Sequence, residues 1–72
     1  MLLLIDAGNT RIKWALVAHD SSLGGWLASG AVAHAQLDTL AAQWAPLAIS
    51  EALLSNVAGA SIAARLRAML PL

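Results

Sequence analysis

The chain has 72 residues, 60% of them hydrophobic and 11% charged, with four cations balancing four carboxylates and no cysteine. Without cysteine there is no disulfide framework and no thiolate metal site. With the cations confined to the pairs Arg11/Lys13 and Arg65/Arg67, there is no basic face for nucleic acid.

A domain this small leaves a large share of its surface in water. An apolar excess on top of that implies surface meant to be covered by further chain or by a partner. The apolar opening Met1-Leu2-Leu3-Leu4-Ile5 stops at Asp6 and no basic residue precedes it, which does not fit a signal peptide. The longest stretch free of Asp, Glu, Lys and Arg, residues 21–37, is broken by glycines, serines and His34, which does not fit a membrane span. A cytoplasmic protein is expected.

In chain order, Leu2 to Asp6 reads as a short buried strand. Gly8-Asn9 is a two-residue signal for a hairpin turn. Thr10 to Ala18 reads as the returning strand, with Ile12, Trp14 and Leu16 alternating. His19 to Ser22 reads as a polar turn, and Gly24-Gly25 as another. Gly25 to Ala33 is a third strand, weakened by Gly30. Leu37, Leu40, Ala41 and Trp44 then recur at helical spacing, and Pro46 ends that helix. Ala48 to Val57 reads as a fourth strand with Leu53 and Leu54 buried. Ser61 is placed to cap a last helix whose inner face is Ile62, Leu66 and Met69 or Leu70. The order β-β-β-α-β-α predicts an α/β fold, a mixed sheet with helices packed on it.

The segment that carries chemistry is Asp6-Ala7-Gly8-Asn9-Thr10-Arg11-Ile12-Lys13. With Gly8 and Asn9 as the loop, Asp6 opposes Arg11 and Ile5 opposes Ile12. Opposed residues share a face, so Asp6, Arg11 and Lys13 lie together while Leu3, Ile5, Ile12 and Trp14 form an apolar floor. Gly8 lets an anion approach the backbone, and amides around Gly8, Asn9 and Thr10 suit phosphate oxygens. The Thr10 hydroxyl and Asn9 amide add donors, and Lys13 adds a mobile positive charge. Asp6 repels phosphate unless a hydrated Mg²⁺ lies between them, the way Mg²⁺ usually binds. The plainer reading is an ordinary hairpin with one cross-strand ion pair between Asp6 and Arg11.

The run from Met1 through Asp-x-Gly-Asn-Thr-x-x-Lys to Leu16 resembles the first phosphate motif of the type III pantothenate kinases, within the superfamily of actin, sugar kinases and heat-shock chaperones. Leu54-Ser55-Asn56-Val57 is a weaker echo of a family strand ending in Ser-x-Val. The resemblance implies that residues 1–72 are the amino-terminal part of one ribonuclease-H-like (actin-like ATPase) domain, the remainder and a second domain lying beyond it. It implies ATP binding by Asp6, Ala7, Gly8, Asn9, Thr10, Arg11, Ile12 and Lys13, with Mg²⁺ held through water by Asp6. It also implies pantothenate as acceptor, a K⁺ or NH₄⁺ site elsewhere, and a homodimeric parent enzyme of coenzyme A biosynthesis. The family's Gly-x-Asp-Arg, whose Asp is the general base, does not occur here, so no catalytic base is expected in this segment and the segment alone is expected to be inactive. Two alternatives stay open: a nucleotide-binding relative that does not phosphorylate pantothenate, and a truncated, non-catalytic interaction module.

Other residues read as structural. His19 and His34 have no second ligand at metal-binding spacing. Trp14, Trp26 and Trp44 fit core or interface. Ser50 and Ser55 lack a paired base, and Arg65 and Arg67 fit the solvated side of the last helix.

Overall fold

A computed structural model describes residues 1–18 and 26–71, with the side chain of Trp26 left aside. The readings placed on His19 to Ser22, on Gly24-Gly25 and on the Trp26 side chain therefore lie outside the described residues. Strands β1 (Leu2–Ala7), β2 (Arg11–Val17) and β3 (Trp26–Ala33) are followed by a 3-10 helix (His34–Thr39) running into α1 (Leu40–Trp44), then β4 (Glu51–Asn56) and α2 (Ala60–Met69). One four-stranded sheet has the order β3-β2-β1-β4. β1 pairs antiparallel with β2, β2 antiparallel with β3, and β1 parallel with β4. The sheet is mixed, as the strand order predicts.

The parallel β1–β4 register is pinned at both ends. The Met1 ammonium donates to the Ala48 carbonyl and to Ser50 Oγ, each at 3.0 Å, and Ser50 N–H donates to the Met1 carbonyl at 2.9 Å. At the far end Val57 N–H donates to the Ala7 carbonyl at 3.0 Å.

One face of the sheet carries the core. Leu3, Ile5, Ile12, Trp14 and Leu16 alternate inward and pack with Leu37, Leu40, Trp44 and Leu66. Of the inner face expected for the last helix, Leu66 is buried and Ile62, Met69 and Leu70 are half-buried, and the buried Ala63 joins it. Trp14 and Trp44 meet edge to face, ring centroids 6.3 Å apart, a geometry that aligns a positive ring edge with a negative ring face.

Several local expectations are corrected. The helix expected around Leu37 to Trp44 opens as a 3-10 segment at His34 and becomes α-helical only at Leu40. Thr39 Oγ1 donates to the Gln36 carbonyl at 2.7 Å, a local bond that competes with regular helix. Gly59, not Ser61, precedes the last helix, with φ +108° and no side-chain cap. The Asn56 side chain organises that entry instead: its Oδ1 accepts from Ala58 N–H at 3.0 Å and its Nδ2 donates to the Gly59 carbonyl at 2.9 Å. β4 is shorter than Ala48 to Val57, because Pro46 to Ser50 still belong to the connection that returns the chain to β1. Leu53 is 56% exposed rather than buried, because it faces the side of the sheet on which no described helix lies.

Candidate functional site at the strand ends

β1, β3 and β4 run in the same direction, so their carboxyl ends gather at one edge with the turn into β2. In open α/β sheets ligands bind beyond the carboxyl ends of the strands. Here that edge holds the Gly8–Thr10 turn, His34 and the loop from Val57 to Gly59.

The hairpin register differs from the expected one by two residues. Asp6 pairs with Lys13 and Ala7 with Ile12, and Gly8 N–H donates to the Arg11 carbonyl at 2.9 Å. The two loop residues are therefore Asn9 and Thr10, not Gly8 and Asn9. A Gly-Asn loop of the favoured type needs positive φ at its glycine, and among the described residues the glycine with positive φ is Gly59, not Gly8. A shift of two preserves the side of every residue, because side chains alternate with period two. Asp6, Arg11 and Lys13 accordingly do share the exposed face, while Leu3, Ile5, Ile12 and Trp14 are buried on the other.

The corrected register changes the partners. Arg11 stands opposite Gly8 instead of Asp6, and Lys13 stands opposite Asp6. Asp6 is also in register with Ser55 on β4, so Lys13, Asp6 and Ser55 form one row across three strands. Asp6, Lys13 and Ser55 are exposed, and no ion pair joins Asp6 to Lys13 or Arg11. An ion pair among the described residues joins Arg65 to Asp38 at 2.7 Å. The expected Asp6–Arg11 ion pair is absent. The Gly8 amide is also withdrawn from the expected set of phosphate donors, because the Arg11 carbonyl takes it. Ala7 and Ile12 are fully buried and reach the edge only through their backbone.

Below this row the open face forms an apolar groove of about 800 Å³, lined by Leu4, Ala15, Ala31 and Leu53, with Asp6 and Lys13 at its polar end.

Sequence reasoning took His34 as structural and missed its contact with the turn. Its Nε2 lies 2.7 Å from the Gly8 carbonyl. A carbonyl only accepts, so Nε2 carries the hydrogen. The spacing of 26 residues hides this contact. The signal that reveals it is the pairing of Arg11 with Ala33 at the end of β3, which brings the next residue beside the turn.

Mg²⁺ is compatible with these residues in one way. No cluster of three metal-ligating side chains exists among the described residues, so a cage made of protein alone does not fit. A single exposed carboxylate at Asp6, beside a turn with free donors, suits an ion that takes the rest of its ligands from phosphate and water.

The sequence model of the type III pantothenate kinase family matches residues 2–71. A curated type III pantothenate kinase of Janthinobacterium sp. (strain Marseille) is 55% identical over 62 residues, which is 82% of this chain and 24% of that protein. The one from Herminiimonas arsenicoxydans is 52% identical over 65 residues, 86% of this chain and 25% of its own. The one from Dechloromonas aromatica (strain RCB) is 47% identical over 73 residues, 97% of this chain and 28% of its own. The chain thus spans about a quarter of the length of these relatives. A family match over nearly every residue, with identities near one half, places this chain in the type III pantothenate kinase family.

Proposed function

We propose that the chain is the ATP phosphate-binding segment of a kinase that phosphorylates pantothenate, the first step of coenzyme A biosynthesis. In this reading the fold is part of a ribonuclease-H-like, actin-like ATPase domain. The sheet order β3-β2-β1-β4, with a helical crossover into the parallel strand β4, supports that assignment. The observation that carries the functional reading is the exposed Asp6–Lys13 pair. It stands unbonded beside the Asn9–Thr10 turn at the carboxyl end of β1.

Phosphoryl transfer is mostly positioning and charge neutralisation. Asn9 and Thr10 offer backbone and side-chain donors to phosphate oxygens. Lys13 and Arg11 place positive charge on the same face, where the transferred group gathers negative charge. Asp6 would hold Mg²⁺ through water, and the ion would neutralise charge on the phosphates. The bond from the γ-phosphorus to the β,γ-bridging oxygen breaks, ADP leaves with that oxygen, the phosphoryl group bonds to the pantothenate hydroxyl oxygen, and the hydroxyl proton goes to a base outside these 72 residues. The pantothenate pocket, the K⁺ or NH₄⁺ site and the contacts of a homodimer are assigned outside this segment as well. A cytoplasmic setting belongs to the same proposal; no described helix is long and apolar enough to cross a membrane. A second reading, a non-catalytic module that pairs with another chain, is favoured by the apolar groove and the exposed Leu53.

Isothermal titration of the chain with ATP and Mg²⁺, compared with Lys13→Ala, tests the first reading. It predicts weak binding that the substitution weakens further. Heats that are the same for both proteins, or no binding at millimolar nucleotide, would remove its support.

A further inference from the structure

We propose that His34 is a positioning residue for the phosphate turn, acting through the Gly8 peptide. The inference rests on the phosphate-binding reading of Asn9 and Thr10.

A tight turn is usually closed by a bond from the fourth residue's N–H to the first residue's carbonyl. Across Gly8 to Arg11 that bond would run from Arg11 N–H to the Gly8 carbonyl. The bond present runs the other way, from Gly8 N–H to the Arg11 carbonyl at 2.9 Å. The Gly8 carbonyl is taken instead by His34 Nε2 at 2.7 Å. A distant side chain therefore supplies the second of the two bonds that fix this residue.

Gly8 is where such fixing matters. Glycine has the widest conformational freedom of any residue, and an exposed loop hinged on it samples many arrangements. A Cβ at Gly8 would lie 3.3 Å from the Arg11 carbonyl oxygen, so a more restricted residue fits only if that oxygen gives way. With its N–H held by Arg11 and its C=O held by His34, the peptide units leading into Asn9 and Thr10 start from one orientation. A site already ordered before binding loses less freedom when the ligand arrives.

The position of His34 suits this part. It is the first residue after β3, in the opening turn of the 3-10 helix. The helix is anchored by the fully buried Leu37, so the imidazole is held from the sheet side. It is half-buried, partly screened from the water that would compete for the Gly8 carbonyl.

The test uses the ¹⁵N-labelled 72-residue chain with His34→Ala and His34→Gln, the glutamine Nε2 being able to stand where the histidine Nε2 stands. Three quantities are read: backbone relaxation and hydrogen exchange at residues 8–11, the ATP·Mg²⁺ dissociation constant from the shifts of those amides, and the melting temperature. His34→Ala should loosen residues 8–11 and raise the dissociation constant roughly three- to tenfold, the worth of one hydrogen bond. Its melting temperature should stay near wild type, and His34→Gln should restore both order and affinity. Wild-type relaxation and affinity in His34→Ala would overturn the proposal. So would a His34→Gln variant no better than alanine, because the donor would then be irrelevant. If the wild-type turn amides ignore ATP, the phosphate reading fails, and the relaxation data still decide whether His34 orders the turn.

Discussion

Gly30 stands directly opposite Trp14 in the β2–β3 ladder, and the indole fills the space that a side chain at Gly30 would need. A Cβ built there would meet Trp14 Nε1 at 2.8 Å and two ring carbons at 3.0 and 3.1 Å. The glycine that weakens β3 in the sequence is thus what lets Trp14 lie down on the sheet and reach Trp44.

Gly30→Ala should therefore destabilise the chain although alanine is the better strand residue. The ring is buried against Trp44, so it cannot move aside without disturbing the core. Overpacking of this kind costs about 1–3 kcal/mol. Urea unfolding followed by tryptophan fluorescence measures it. An unchanged midpoint would show that the indole is free to shift.

Trp44 is the largest fully buried side chain among the described residues. Its replacement by alanine removes the edge-to-face contact with Trp14 and leaves a cavity under the sheet. Losses of about 3–5 kcal/mol are usual for such a change, enough to consume most of the stability of a small domain. Near-UV circular dichroism of Trp44→Ala should show collapsed aromatic signals at room temperature. A cooperative melt close to wild type would contradict the packing described here.

The open face predicts the opposite behaviour for Leu53. It is 56% exposed and lines the apolar groove, so Leu53→Ser removes little buried surface. The variant should bind less apolar dye and self-associate less, with its unfolding midpoint within about 0.5 kcal/mol of wild type, as for ordinary surface positions. Light scattering and dye fluorescence check it. A large loss of stability would mean that Leu53 is covered.

Much of this was legible from side-chain periodicity. The alternation of Ile12, Trp14 and Leu16 and the helical spacing of Leu37, Leu40 and Trp44 identify the core face, and the four strands follow. The hairpin register was not legible, because Gly8-Asn9 matches a favoured loop on paper while the backbone turns at Asn9-Thr10. The error spared the faces only because the slip was two residues rather than one. His34 was invisible for a different reason. Its bond to Gly8 depends on where β3 ends relative to β2, which is a tertiary fact. Leu53 was misread because an apolar residue in a strand looks buried whichever face it occupies.

The last expectation is that these 72 residues alone phosphorylate no pantothenate and hold ATP only weakly. Phosphoryl transfer needs phosphate donors, a metal site, an acceptor pocket and a group to receive the hydroxyl proton. The strand-end site offers donors at Asn9 and Thr10 and one carboxylate at Asp6. Among the described residues no group of three metal-ligating side chains forms. Asp6, Arg11 and Lys13 are exposed, so water screens them. In that dielectric one cation about 4 Å from a phosphate charge gains about 1 kcal/mol, while association costs an estimated 4 kcal/mol or more in lost freedom. Lys13→Ala should therefore weaken ATP only about fivefold, from an affinity already in the millimolar range. In a full-length enzyme of the family carrying this segment, Asp6→Asn should cut kcat strongly with the fold intact, since it removes a charge and keeps the shape. A coupled kinase assay decides both points. Pantothenate turnover above background by the purified chain, abolished by Lys13→Ala, would show that the acceptor site lies within these residues after all.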